Sequence, residues 1–272
     1  MALAGGNAVT PTDWRRWERW VVWSALLGVA ALAWIYLLTM PMSGMSHGET
    51  MPADTTRGMM VAELGVWTTA ELAMMSAMWI VMMLGMMLPS AAPMVLMVAR
   101  LAAGQRSKGV RSTSTTAFGA GYVVVWSAFS IAATGLQWGL ERVELLGASM
   151  ALNGGLVAGG LLILAGLYQF SALKDACLSL CRSPLAFVLH HWRDGKLGAL
   201  VMGMHHGLFC LGCCWALMLL LFVLGVMNLI WVALLAAYVL AEKVLPGGRR
   251  LSQAAGVLAI VAGAYLVVSP GG

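Results

Sequence analysis

Charged residues are scarce in this chain and make up only 10% of its 272 residues. A soluble domain carries about 25% charged residues, so this scarcity excludes a large water-exposed domain. Hydrophobic residues reach 61% of the sequence, and the mean hydropathy is +0.85. The composition predicts an all-α, polytopic membrane protein that lies in the lipid bilayer.

The chain also lacks the features of a hydrolase and of a disulfide-rich secreted protein. No pair of carboxylates lies within an apolar stretch, and no grouping of Ser, His and Asp suggests an activated nucleophile. None of the five cysteines falls in an outer connection, where oxidising conditions favour disulfides. We therefore expect neither an enzyme nor a disulfide framework.

Seven apolar stretches are long enough to cross a bilayer. They are residues 20–40, 71–98, 116–138, 152–173, 198–224, 229–245 and 252–269. If the N-terminus lies in the cytoplasm, 14 of the 16 Lys and Arg residues fall on the inside, and these include Lys174 and Lys243. The other two, Arg57 and Arg142, fall on the outside. This positive-inside bias predicts about seven transmembrane helices with the N-terminus in and the C-terminus out. It also accounts for the pI near 9.1 without nucleic acid as a partner.

These stretches divide the chain simply. We expect a cytoplasmic N-terminal segment, 1–19, and a single transmembrane helical domain, 20–269. The first stretch is too long for a cleaved signal peptide and is interpreted as a signal anchor. The domain includes an outer loop rich in Met and His, 41–70, and a cytoplasmic connection, 174–197.

Soft metal ligands are concentrated in ten residues of the fifth stretch. They are His205, His206, Cys210, Cys213 and Cys214. Spacing of four residues puts His206, Cys210 and Cys214 on one helical face, whereas His205 points about 100° away from His206. Polar groups at membrane depth are costly and are usually retained for function. Thiolate and imidazole together favour copper or zinc over calcium or magnesium.

A second pair of thiols, Cys177 and Cys181, is also spaced by four residues. Counting depth along the fourth stretch puts this pair near the cytoplasmic surface. Three interpretations stay open: a separate exit site, a helix that dips back toward Cys210, or two inert buried thiols.

Methionines dominate the second stretch. They are Met74, Met75, Met78, Met82, Met83, Met86, Met87, Met94 and Met97. One helical face begins at Glu71 and continues through Met74, Met75 and the candidate ligands Met78, Met82 and Met86. We expect this face to point to the bundle interior near the fifth stretch, with Met78 and Met82 at a depth similar to that of His206 and Cys210. Thioethers suit Cu(I), although Met is also an ordinary filler of helical cores.

His47, in a Met-rich part of the outer loop, is a candidate ligand for the capture of copper. Two later prolines, Pro89 and Pro93, predict a kink or break.

Four motifs resemble a bacterial family of predicted metal-binding integral membrane proteins. They are Met86-Met87-Leu88-Pro89-x-x-x-Pro93, Gly119-x-Gly121-Tyr122-x-x-x-Trp126, Tyr168-Gln169…Lys174-x-x-Cys177-x-x-x-Cys181-Arg182-x-Pro184 and Gly207-x-x-Cys210-x-Gly-Cys213-Cys214-Trp215. The resemblance covers about residues 70–245. Some members look like membrane copper chaperones that accompany copper oxidases. The resemblance implies an inner (cytoplasmic) membrane location, copper, and a copper-dependent enzyme or soluble copper carrier as partner.

Copper handling by capture, transfer or delivery to a copper enzyme is the leading hypothesis. Cu(I) fits better than zinc because zinc sites rarely use thioethers. A membrane thiol–disulfide oxidoreductase that uses Cys210 with Cys213 and Cys177 with Cys181 is an alternative, although such proteins present a reactive pair to the oxidising side. A structural or assembly subunit of a larger membrane enzyme is another. Haem held by two histidines is the weakest of these.

Overall fold

The computed structural model describes residues 11–39, 67–107, 114–146, 151–152, 154–226 and 228–269. Helices make up 88% of the structure and the described residues contain no strand, which confirms the all-α class. His47 and the methionines of residues 40–66 lie outside the described residues. The helices are α1 (Pro11–Thr39), α2 (Thr69–Ser107), α3 (Thr115–Arg142), α4 (Gly155–Tyr168), α5 (Ala172–Arg182), α6 (Pro184–His191), α7 (Gly195–Leu219), α8 (Leu221–Leu224), α9 (Leu229–Val244) and α10 (Gly248–Val268).

Helix α2 begins with a reciprocal cap. The backbone N–H of Thr68 donates to the Glu71 carboxylate at 2.7 Å, and the N–H of Glu71 donates to Thr68 Oγ1 at 3.2 Å. This capping box satisfies donors that the first helical turn leaves free. Glu71 therefore serves to start the helix.

Helix α2 continues through Pro89 and Pro93 to Ser107, so the break that these prolines predicted does not occur.

Four helical segments of the described chain are long and apolar enough to cross a membrane. They are Thr69–Gln105, Thr115–Arg142, Gly195–Leu224 and Gly248–Val268. The pair α4 and α5, bent by 62°, supplies a fifth if it counts as one span, and α1 contains a shorter apolar segment, Ser24–Thr39. Length and composition thus support four or five spans, and the predicted seven is not confirmed.

Apolar side chains cover much of the outer surface of the described helices. On α10, Leu258 is 70% exposed and Val268 is 80% exposed, and on α7 Leu197 is 79% exposed. Soluble proteins rarely expose such continuous apolar surface. These faces are suited to contact with lipid, whereas α2 is packed on most sides and lies in the core.

Glycines bring two pairs of helices into close contact. A Cβ on Gly159 of α4 would lie 2.6 Å from the carbonyl oxygen of Gly263 on α10. Gly121 of α3 likewise packs against the α7 backbone at Leu200 and Met204. Small residues allow such backbone approach in membrane helices. The contact between Gly159 and Gly263 lets α4 pack closely on α10, and that at Gly121 lets α3 pack closely on α7.

The predicted cytoplasmic connection 174–197 is largely helical. It contains most of α5, all of α6 and the start of α7. The side chain of Lys174 is fully buried, as is that of Phe187, although a charged side chain is costly to bury. The reason is an ion pair at 2.7 Å between Lys174 and Glu242 of α9, which compensates the cost of burying the ammonium.

Candidate metal centre

The sulfur of Cys210 is the point where several helices meet. Cys210 lies on α7 and is 1% exposed. Lys243 Nζ, from the last turn of α9, donates to this sulfur at 2.9 Å. The hydroxyl of Tyr122, from α3, lies 3.2 Å from it. An ammonium and a phenol directed at one buried sulfur stabilise negative charge there, as a metal-binding thiolate requires.

Helix α2 joins this group through the segment between Met87 and Ser90. Lys243 Nζ donates a second hydrogen bond to Ser90 Oγ at 3.0 Å, and Ser90 Oγ donates to the Met87 carbonyl oxygen at 2.8 Å. The Tyr122 hydroxyl also lies 3.2 Å from that carbonyl oxygen. Polar contacts thus connect the Cys210 sulfur to α2, α3 and α9.

The remaining thiols surround Cys210. Those of Cys213 and Cys214 each donate to the Cys210 carbonyl oxygen at 3.0 Å. The Cys181 side chain, from α5, interacts with the side chains of Cys210 and Cys213. Cys177 lies against Gly212, where a Cβ would be 2.7 Å from its sulfur. Of the three interpretations of the Cys177 and Cys181 pair, the structure has the one in which this helix turns back toward Cys210.

The two neighbouring histidines face different surroundings. His206 is 3% exposed, and its ring stacks on Tyr122 and Phe118 at centroid distances of 5.7 and 5.9 Å. Its Nδ1 is buried and makes no hydrogen bond within the described residues. His205 packs edge-on against His191 at 5.7 Å, on a different face of α7. Only His206 therefore lies on the side of Cys210, and its unpartnered nitrogen is available to a ligand.

The methionine face is mostly internal. Met78, Met82 and Met86 are each 2% exposed, and they belong to the same buried cluster as Cys210. Met75 Sδ accepts a hydrogen bond from Gln137 Nε2 at 3.7 Å. Met74 is 52% exposed, so its assignment to the inward face is wrong. The buried part of the face therefore begins at Met75.

No set of three or more His, Cys, Asp or Glu side chains in the described residues is arranged to hold a metal ion. The hydrogen bonds explain why the dense ligand group of α7 does not form such a set. Cys213 and Cys214 turn toward the backbone of their own helix, and Lys243 covers one side of the Cys210 sulfur. The thiols and thioethers are nevertheless suitable ligands for a soft metal ion in this buried interior.

Sequence reasoning missed three residues of this centre: Ser90, Tyr122 and Lys243. Sequence reasoning counted Lys243 among the cytoplasmic charges and did not foresee its burial, and it is 8% exposed and bonded to Cys210. Its position beside Glu242, at the end of an apolar helix, was a usable signal. Tyr122 stands in one of the quoted motifs, but its role depends on a contact between helices that spacing alone does not reveal.

A second buried polar group lies beside the centre. Lys174 of α5 pairs with Glu242 at 2.7 Å, and both side chains are fully buried. Lys174 also donates to Gln169 Oε1, to which Ser252 of α10 donates at 3.0 Å. This group connects α5 to α9 and α10, and so it holds in place the helix that carries Cys181.

A family model described as PpoB2, copper chaperone, matches residues 75–266. The matched range includes all five cysteines, the buried methionines and Lys243, and it omits His47 with the rest of the outer loop. Comparison with curated proteins and with solved structures gives no match.

Proposed function

Because this chain belongs to the copper chaperone family PpoB2, we propose that it binds Cu(I) as cargo within the bacterial inner membrane. It then passes the ion to a copper-dependent enzyme or a soluble copper carrier. The observation that carries this proposal is the Cys210 sulfur, which is buried among further thiols and faced by Lys243 at 2.9 Å. No reaction is catalysed, and the ion is the cargo of the protein.

Cys210 and Cys214 are the principal ligands in this proposal. They stand one helical turn apart on α7, and Cys181 and Cys213 lie beside them. His206 supports them because its buried Nδ1 makes no other hydrogen bond in the described residues. Cys181 and Cys177, which lies against Gly212, are further supporting ligands, and His205, which faces His191, remains a candidate on another face of α7.

The methionines favour Cu(I) over zinc. Met78, Met82 and Met86 line the core along α2, and thioethers bind Cu(I) without losing a proton. Zinc sites use Cys, His and carboxylate and rarely thioether. We propose that these methionines pass the ion inward from the outer loop, in which His47 takes part in capture.

Burial separates this proposal from thiol–disulfide exchange. Cys213 is fully buried, and Cys210 and Cys214 are 1% exposed. Exchange with a partner protein requires a sulfur that the partner can reach. The burial of these three thiols therefore counts against exchange with a partner protein at Cys210, whereas we propose that a metal ion reaches the same sulfur along the methionines of α2.

The proposal is tested by Cu(I) competition against a chelator, with full-length protein in mild detergent under anaerobic conditions. The variant Cys210→Ser with Cys214→Ser removes the soft donors and keeps similar side-chain volumes. We expect it to insert normally and to lose most of its bound copper, while the control Met74→Leu binds as the wild type does. Unchanged copper content in the double variant would refute the ligand assignment, and a wild type that retains zinc and ignores Cu(I) would refute the function.

The topology is part of the same proposal. Seven spans with a cytoplasmic N-terminus put the C-terminus outside, and the distribution of Lys and Arg supports this orientation. A reporter fused after Gly272 should be active only on the outer side of the membrane. Activity confined to the cytoplasm contradicts the predicted number of spans.

A further inference from the structure

Three charged side chains are buried among the described residues, and their charges do not balance. They are Lys174, Glu242 and Lys243. Lys174 and Glu242 form an ion pair at 2.7 Å and compensate one another. Lys243 is left as a positive charge in an apolar surrounding. Burying such a charge is costly unless an anion accompanies it.

Lys243 obtains its partners from the centre around Cys210. Its ammonium donates to Cys210 Sγ at 2.9 Å and to Ser90 Oγ at 3.0 Å. No carboxylate of the described residues forms an ion pair with it. The negative charge that accompanies Lys243 must therefore come from sulfur. The charge of this lysine then becomes part of the charge of any metal–thiolate complex at Cys210.

We propose that Lys243 is a specificity-determining residue that selects monovalent over divalent metal ions at the Cys210 centre. This inference rests on the proposed function. When Cys210 and Cys214 bind a metal as thiolates, their two protons leave and two negative charges face one ammonium. A monovalent ion such as Cu(I) makes the assembly neutral. A divalent ion such as Zn(II) leaves one net positive charge in the low-dielectric core, which is disfavoured.

The ammonium also restricts coordination around Cys210. Lys243 carries three donors and no lone pair, so it cannot be a ligand in this form. It covers one side of the sulfur and is anchored there by Ser90. Structural zinc sites need four ligands in a tetrahedral arrangement, and this crowding opposes such a set. Charge and space therefore favour the same class of ion.

The test compares two ions that both prefer sulfur and differ in charge. Ag(I) serves as a redox-inert analogue of Cu(I), and Cd(II) as the divalent probe. Affinities are measured by competition against a chelator, with the full chain in mild detergent. The variants are Lys243→Met, which removes the charge at similar length, Lys243→Arg, which keeps it, and the control Met74→Leu, which changes a side chain that is 52% exposed and lies outside the centre.

We expect the wild type to prefer Ag(I), and we expect Lys243→Met to raise the ratio of Cd(II) to Ag(I) affinity by about tenfold or more. Lys243→Arg and Met74→Leu should keep a ratio close to that of the wild type. An unchanged ratio in Lys243→Met overturns the inference, while Cu(I) binding by the wild type leaves the proposed function standing. If Lys243→Met does not insert, Lys243→Gln provides the same comparison.

The wild type alone also tests the inference. A wild type that binds Cd(II) as readily as Ag(I) contradicts selection by charge, even if Cu(I) is bound. A wild type that binds neither Cu(I) nor Ag(I) contradicts the proposed function itself. The two failures therefore give different results in the same experiment.

Discussion

Lys243 and Cys210 lie on different helices, 33 positions apart, and yet the ammonium nitrogen is 2.9 Å from the sulfur. This contact makes α9 part of the metal centre as well as of the packing around it. It also gives adjacent residues of α9 different partners, since Glu242 pairs with Lys174 of α5. Through these two residues, α9 connects both of the helices that carry cysteines.

The stability of the protein should depend on Lys174 and Glu242 being present together. The variant Glu242→Gln leaves the fully buried ammonium of Lys174 without its counter-charge. Removal of one partner of a buried pair costs about 3–5 kcal/mol. We expect a large fall in the unfolding temperature of the detergent-solubilised protein, measured with the full chain.

The matched control removes both charges together. In Lys174→Met with Glu242→Leu, no unpaired charge remains, and replacement of a buried pair by apolar groups is often close to neutral. We expect this double variant to recover most of the lost stability. A double variant as unstable as Glu242→Gln would show that the pair acts through shape and not through charge.

The close contact between α4 and α10 gives a prediction with a control one residue away. Gly159→Ala should destabilise the protein by about 1–3 kcal/mol, because its Cβ would meet the Gly263 carbonyl oxygen at 2.6 Å. Gly160→Ala adds the same methyl group where no atom lies within 4 Å, and it should be neutral or slightly stabilising. Thermal unfolding of both variants in detergent measures the difference, and equal stabilities would contradict the packing.

Helical periodicity was sufficient to predict part of the centre. Spacing of four residues placed His206 on the side of Cys210 and turned His205 away, as the structure has them. The depth estimate brought Met78 and Met82 level with Cys210, and all three lie in one buried cluster. These features follow from the geometry of single helices, and so they can be read along the chain.

Contacts between helices could not be predicted in the same way. The positive-inside rule assigns basic residues to one side of the membrane and does not address their burial. It therefore could not reveal that Lys174 and Lys243 are buried, with their charges compensated by Glu242 and by the Cys210 sulfur. The bend of 62° between α4 and α5 was left as one of three interpretations for a related reason, since it depends on what α5 packs against.

The inward methionines should matter for copper uptake, whereas the outward one should not. Leu resembles Met in volume, so Met78→Leu with Met82→Leu should cost less than about 1.5 kcal/mol per site while both thioethers are lost. We expect copper loading of Cys210 to slow several-fold, as followed by stopped-flow transfer from a Cu(I) donor. Met74→Leu changes a side chain that is 52% exposed and should load at the wild-type rate. Equal loading rates in the wild type and in both variants would show that the methionine face serves only for packing.

Copper K-edge X-ray absorption of the anaerobically loaded, full-length protein tests the central claim most directly, because it identifies the atoms bound to the metal. The claim predicts Cu(I) bound mainly by sulfur, with most of the sulfur signal lost when Cys210 and Cys214 are both replaced by Ser. A first shell of nitrogen and oxygen alone, or a sulfur signal that survives in the double variant, would contradict copper binding at Cys210.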